Sequence, residues 1–112
     1  MKGDKPRPKV VSFEPQARQL EARVRELAAD SQNILWSDHA RDRMEERGIF
    51  PEDVLRMLRV GFMRGSPDKT EFGEWKLKMV NKIKGAREAG AVTIILVDGR
   101  LFIKTVEWED PR

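Results

Sequence analysis

The dipeptide Asp98-Gly99 stands between two runs, residues 91–97 and 100–108, that are rich in Val, Ile and Phe. Asp-Gly between two such runs is the signature of a two-residue type I′ turn, because both central positions need a positive φ and the resulting twist matches that of the flanking strands. The end of the chain is thereby committed to an antiparallel hairpin. That register sets Leu96 opposite Leu101 and Ile94 opposite Ile103 on one face, with Thr93 opposite Lys104 on the other.

Upstream, the apolar period changes from two to about 3.6. Trp75, Leu77, Met79 and Ile83 share one parity and Lys76, Lys78, Lys82 and Lys84 the other, as in a strand with one face on a core and one in water. Before it lies a turn-rich segment with Gly65, Ser66, Pro67 and Asp68. Earlier still, Ala17, Leu20, Val24 and Leu27 recur at helical spacing within 14–30, predicting an amphipathic helix that docks on its own domain or joins a second copy in a homodimer. Ser37 is a good N-cap for a helix ending near Arg47, where Gly48 supplies the stop, and Pro51 suits the first turn of another that ends before Gly61. The expected class is α+β, with N-terminal helices packed on a small antiparallel sheet that ends in a β-hairpin. The organisation reads as a disordered basic arm over 1–12, an amphipathic helix over 13–32 and a single α+β domain over 33–110.

The chain contains no cysteine and one histidine, so disulfides and thiolate metal sites are excluded, and neither a metal nor a cofactor is expected. Its longest apolar stretches are strand-sized and no signal-peptide pattern follows Met1, which predicts a cytoplasmic protein without a membrane segment. The formal charge of +3 resides in residues 1–9, so net charge is no argument for nucleic acid. Locally the balance differs: between residues 76 and 104, Lys76, Lys78, Lys82, Lys84, Arg87, Arg100 and Lys104 face only Glu88 and Asp98. Anions would be drawn there.

Two rows of side chains can carry chemistry. His39, Arg43 and Arg47 are spaced by four along one helix, where an imidazole can move a proton near neutrality and two guanidiniums can hold a phosphate. That combination suits RNA cleavage by a 2′-hydroxyl, although Asp42, Glu45 and Glu46 can also simply pair with the cations. The lysines at 76, 78, 82 and 84, with Lys104 beside them, can grip a nucleic-acid backbone or form a solvated sheet face. Trp36, Trp75 and Trp108 read as core residues. Glu107, Glu109 and Asp110 read as a solvated acidic end.

The run Ser37-Asp38-His39-Ala40-Arg41-Asp42-Arg43-Met44-Glu45-Glu46-Arg47-Gly48-Ile49, with Pro51-Glu52-Asp53-Val54 after it, resembles the opening of the bacterial and phage family filed as domain of unknown function 4258. Lys84-Gly85, the strand from Val92 to Val97, and Ile103-Lys104-Thr105-Val106 resemble its closing hairpin, so the likeness spans about residues 34–108. The resemblance implies a fold similar to RelE-like and other small bacterial ribonuclease toxins. It implies RNA or the ribosome as target and an antitoxin as a protein partner. By that analogy His39 is the acid or base, Arg43 and Arg47 bind phosphate, and Lys104 or Lys84 assists from the sheet. The chain has no tyrosine, so it departs from those relatives of this fold that depend on one.

Overall fold

The computed structural model describes residues 17–110; the arm expected over 1–12 and the first residues of the 13–32 segment lie outside them. In chain order these residues form α1 (Ala17–Ala28), a 3-10 turn at Ser31–Asn33, β1 (Ile34–Trp36), α2 (Asp38–Arg47), α3 (Pro51–Val60), β2 (Phe62–Lys69), β3 (Trp75–Ile83), β4 (Arg87–Ile95) and β5 (Leu101–Trp108). The class is α+β, with helices preceding most of a five-stranded sheet of order β1-β5-β4-β3-β2.

The helices form where their punctuation places them. The Ser37 hydroxyl accepts from the Ala40 amide at 2.9 Å, and Gly48 closes α2 at φ 68°, a left-handed position natural to glycine. At α3, the Asp53 carboxylate accepts from the Phe50 amide at 2.9 Å and Pro51 occupies the first turn. The apolar side of α1 docks within the chain: Leu20, Val24 and Ala28 are buried in one core with Val54, Met57 and Leu58 of α3 and the inward residues of the sheet. Two arginines lock that pair through carbonyls that helix ends leave unpaired, Arg25 donating to Gly61 O at 2.5 and 3.2 Å and Arg59 to Ala28 O at 2.7 Å.

The sheet departs from expectation in four respects. First, it is mixed, because Ile34–Trp36 adds beside β5 as a short parallel strand, pairing Ile34 with Leu101 and Trp36 with Ile103. Three residues before a helix cap are too few for a period to register. Second, the turn-rich segment is itself an edge strand: β2 pairs antiparallel with β3, and its register shifts between Arg64 and Asp68, where Gly65 has φ 77°. Turn residues in a bulged edge strand keep it from pairing onward.

Third, the hairpin holds a longer loop than a type I′ turn. Leu96 N donates to Arg100 O at 2.8 Å and Gly99 N to Leu96 O at 3.0 Å, leaving Val97, Asp98 and Gly99 as the loop, with Gly99 at φ 88°. This is the three-residue hairpin in which glycine takes the left-handed position. The extra residue slips the register by one, so Ile95 faces Leu101 and Thr93 faces Ile103. Thr93 is therefore buried, its hydroxyl donating to Ala91 O at 3.1 Å, and does not share a face with Lys104.

Fourth, β5 carries a bulge. From Thr93 to Val92 the partner advances from Ile103 to Thr105, so Lys104 is an extra residue without a register partner. The bulge inverts the parity of the strand. Leu101 and Ile103 before it and Val106 after it are all buried, with Trp108 packed on the same core.

Candidate nucleic-acid interface

α2 lies along β5, and four hydrogen bonds stitch the two together, three donated from the helix and its cap and one from the strand. Ser37 N donates to Ile103 O at 3.1 Å and Ser37 Oγ to Lys104 O at 2.8 Å. At the far end Arg47 Nη1 donates to Val106 O at 2.7 Å and Trp108 Nε1 to Arg47 O at 3.2 Å. Beyond Trp36 there is no strand to pair this edge of β5 among the described residues, so the helix and its arginine satisfy carbonyls that would otherwise face water.

The row on α2 borders this seam, and its members are differently employed. His39 is exposed in the first turn, two residues after the capping serine that holds the bulged Lys104 carbonyl. Arg43 pairs with Glu46 at 2.6 Å on the helix surface. Arg47 is bonded to β5 and also lines a groove of about 790 Å³ with Lys78, Arg87, Glu107 and Trp108. One acceptor leaves most of the five guanidinium donors of each arginine free for a second ligand.

The lysine row is divided. Lys78 lies 3.2 Å from Glu107 and 2.9 Å from Glu109, whose side chain is only 8% exposed. Partial burial disfavours the Lys78 charge, but the hydrogen bonds it donates to Glu109 and Glu107 and their negative charge outweigh it, and the ammonium is held above its ordinary pKa. Arg64 completes the cluster, 2.7 Å from Glu88 and 3.3 Å from Glu109, and its pKa is raised chiefly by the hydrogen bond to Glu88. Glu107 and Glu109 thus belong to this cluster and are not a solvated end. Lys82 is exposed at the β3 end, in register with Glu88.

Lys84 leaves the row altogether. It lies in the β3–β4 turn at φ 30°, its ammonium 3.5 Å from Asp53 and 3.9 Å from the centre of the Phe50 ring, so it serves the start of α3. Strand parity cannot be carried past the last paired residue, Ile83.

Lys76 and Lys104 form no ion pair with another described residue and line a common groove at the opposite end, about 570 Å³ in volume, on the face away from the core. Its other walls include Phe72, Ile94, Leu96 and Phe102. Phe72 is 79% exposed. Neither phenylalanine is marked as a binding residue by a motif in the sequence. Phe102 had a readable signal, since in Leu101-Phe102-Ile103 the middle of three apolar residues on one strand must face away from the core. Trp75 and Trp108 pack on the core as expected, with Lys69 and Arg87 over their outer faces at 4.8 and 3.9 Å.

The structure therefore brings Lys76 and Lys104 together, and joins Arg47 to Lys78 in a second groove. It links His39 to Lys104 through Ser37 only, and His39 lines neither groove. Among the described residues no group of acidic or histidine side chains is placed to hold a metal ion, and no helix is long and apolar enough to cross a membrane.

In comparisons with known proteins, a family model described as a domain of unknown function matches residues 36–108. No curated protein and no solved structure matches the chain.

Proposed function

This chain belongs to the family of domain of unknown function 4258, a membership that names no activity, and we propose that it binds RNA across the helix-free face of its sheet and cleaves it from the α2 row. The observation that carries this reading is the joint at Lys104. The bulge frees that residue from the sheet, its side chain shares a groove with Lys76, and its carbonyl is held by the cap of the helix that bears His39. Two unpaired lysines on one face attract a phosphate backbone whatever its sequence.

The reaction is that of a metal-independent endoribonuclease of the RelE-like toxin type, acting on cytoplasmic RNA, free or on the ribosome. His39 takes the proton of a 2′-hydroxyl, the 2′-oxygen attacks the adjacent phosphorus, and the bond to the 5′-oxygen breaks. A 2′,3′-cyclic phosphate forms, and the proton passes from the imidazole to the departing 5′-oxygen. Arg43 and Arg47 carry the charge that builds on the phosphate. The nucleophile comes from the RNA itself, so an acid–base group and cations complete the chemistry.

The test is cleavage of RNA, including ribosome-bound RNA, by purified protein in chelator. His39→Ala is expected to slow cleavage by about 100-fold or more. Equal rates in wild type and variant would remove His39 from the mechanism, and no cleavage by either would remove the enzyme. A second reading, RNA binding without turnover, is favoured by one observation: Arg43 and Arg47 already have acceptors in Glu46 and Val106 O, and no described side chain orients His39. It predicts salt-dependent RNA affinity that Lys76→Ala and Lys104→Ala reduce while His39→Ala does not.

A further inference from the structure

Phe72 is held in water by a loop that is not loose. Thr70 N donates to Glu74 O at 2.8 Å and Gly73 N to Thr70 O at 2.9 Å, while the Thr70 hydroxyl accepts from the amides of Phe72 and Glu74, each at 3.2 Å. Gly73 takes φ 80°, which closes the turn without strain. An aromatic ring 79% exposed on so short and so bonded a loop is pre-positioned for contact. Across from it, Phe102, Ile94 and Leu96 give the groove an apolar floor, and Lys76 and Lys104 border the floor from the sheet. Phe102 and Ile94 are neighbours in register, as are Ile94 and Lys76, so ring, aliphatic floor and ammonium follow one line across three strands.

We propose that this groove takes an unpaired nucleotide of single-stranded RNA, its base laid against Phe72 and Phe102 and its phosphates against Lys76 and Lys104. The proposal rests on the RNA-binding reading above and adds the state of the strand that binds. A duplex keeps its bases stacked and presents sugars and phosphates, which leave an apolar floor unfilled; an unstacked base has a π-face that fills it. The volume of about 570 Å³ lies in the range that holds a small ligand. Glu71 and Glu74 also line the groove, from the loop side. Their carboxylates can accept hydrogen bonds from N–H groups on a base edge or from ribose hydroxyls, and they repel phosphate, which leaves the phosphates to the lysine side.

The experiment measures binding of a short, fluorescein-labelled RNA of mixed sequence to the full chain, single-stranded and annealed to its complement. Wild type is expected to favour the single strand, and Phe72→Ala and Phe72→Leu are each expected to weaken it by about 5- to 100-fold, since leucine keeps the apolar surface but cannot stack. Phe102→Leu is expected to do the same with its fold checked by circular dichroism, whereas Phe72 is exposed enough that its variants should melt as wild type does. If wild type binds RNA but both Phe72 variants bind it equally well, or if the duplex binds as tightly, this proposal fails and the broader RNA reading stands. If wild type binds neither form, both fail. Binding to phosphatidylserine vesicles that Phe72→Leu preserves and Phe72→Ala abolishes, with RNA affinity unmoved, would overturn the proposal and assign the groove to a lipid surface.

Discussion

Arg47 and His39 belong to one helical row, yet their surroundings assign them different duties. Arg47 closes the edge of β5 through Val106 O, so Arg47→Ala should destabilise the fold by about 1–2 kcal/mol in denaturant titration. His39 makes no such bond and is exposed, so His39→Ala should leave stability within about 0.5 kcal/mol of wild type. Equal losses would mean that the row is structural throughout. Lys78 offers a test in pH. Its folded pKa is raised, so its contribution is fully present below the unfolded lysine value and is lost as pH rises through the folded one. As pH rises from about 10 upward through the raised folded value, wild type should therefore lose more stability than Lys78→Met, which has no such charge to lose. Parallel losses would show that Glu107 and Glu109 do not hold the ammonium. The pairing of Lys78 was hidden from the sequence because its partners lie about thirty positions away, on β5 and just past its end, and meet it only through the β4 register.

At the scale of elements, what the sequence revealed depended on how local the cause was. Caps, stops and the helix stripes are set within a few residues, and Ser37, Gly48 and Pro51 mark the ends of α2 and the start of α3 as they stand. The sheet was legible as strands but not as registers. One extra loop residue near Gly99 and one bulge at Lys104 each reverse a face, and both are decided by packing between strands. β1 and β2 went unread because one is too short for periodicity and the other is made of turn residues. Two substitutions test the joints that resulted. Ser37→Ala removes both the α2 cap and the tie to Lys104 O, and should cost about 1–2 kcal/mol, recovered in large part by Ser37→Thr. Gly61→Ala would place a methyl group 2.2 Å from Val80 O and 2.4 Å from Met57 O, both backbone atoms, and should cost about 1–3 kcal/mol or more. Thermal melts of the two variants decide both points.

For the whole molecule, the sheet divides labour between its faces. One face holds the core with α1 and α3, and α2 closes the β5 edge. The other presents the groove of Lys76, Lys104, Phe72 and Phe102 at one end and the ion-paired cluster of Lys78, Arg64, Glu88, Glu107 and Glu109 at the other. A row of like lysines read from the sequence is thus mixed in the fold, with Lys78 and Lys84 ion-paired among the described residues and Lys76 and Lys82 not, and RNA should enter where Lys104 joins Lys76. Amide shifts of the isotope-labelled protein, titrated with a short single-stranded RNA, test this most directly. Shifts should concentrate at Phe72, Lys76, Phe102, Lys104 and His39, with α1 and α3 unmoved; shifts confined to the helices, or spread evenly over every exposed lysine, would contradict RNA entry at this groove.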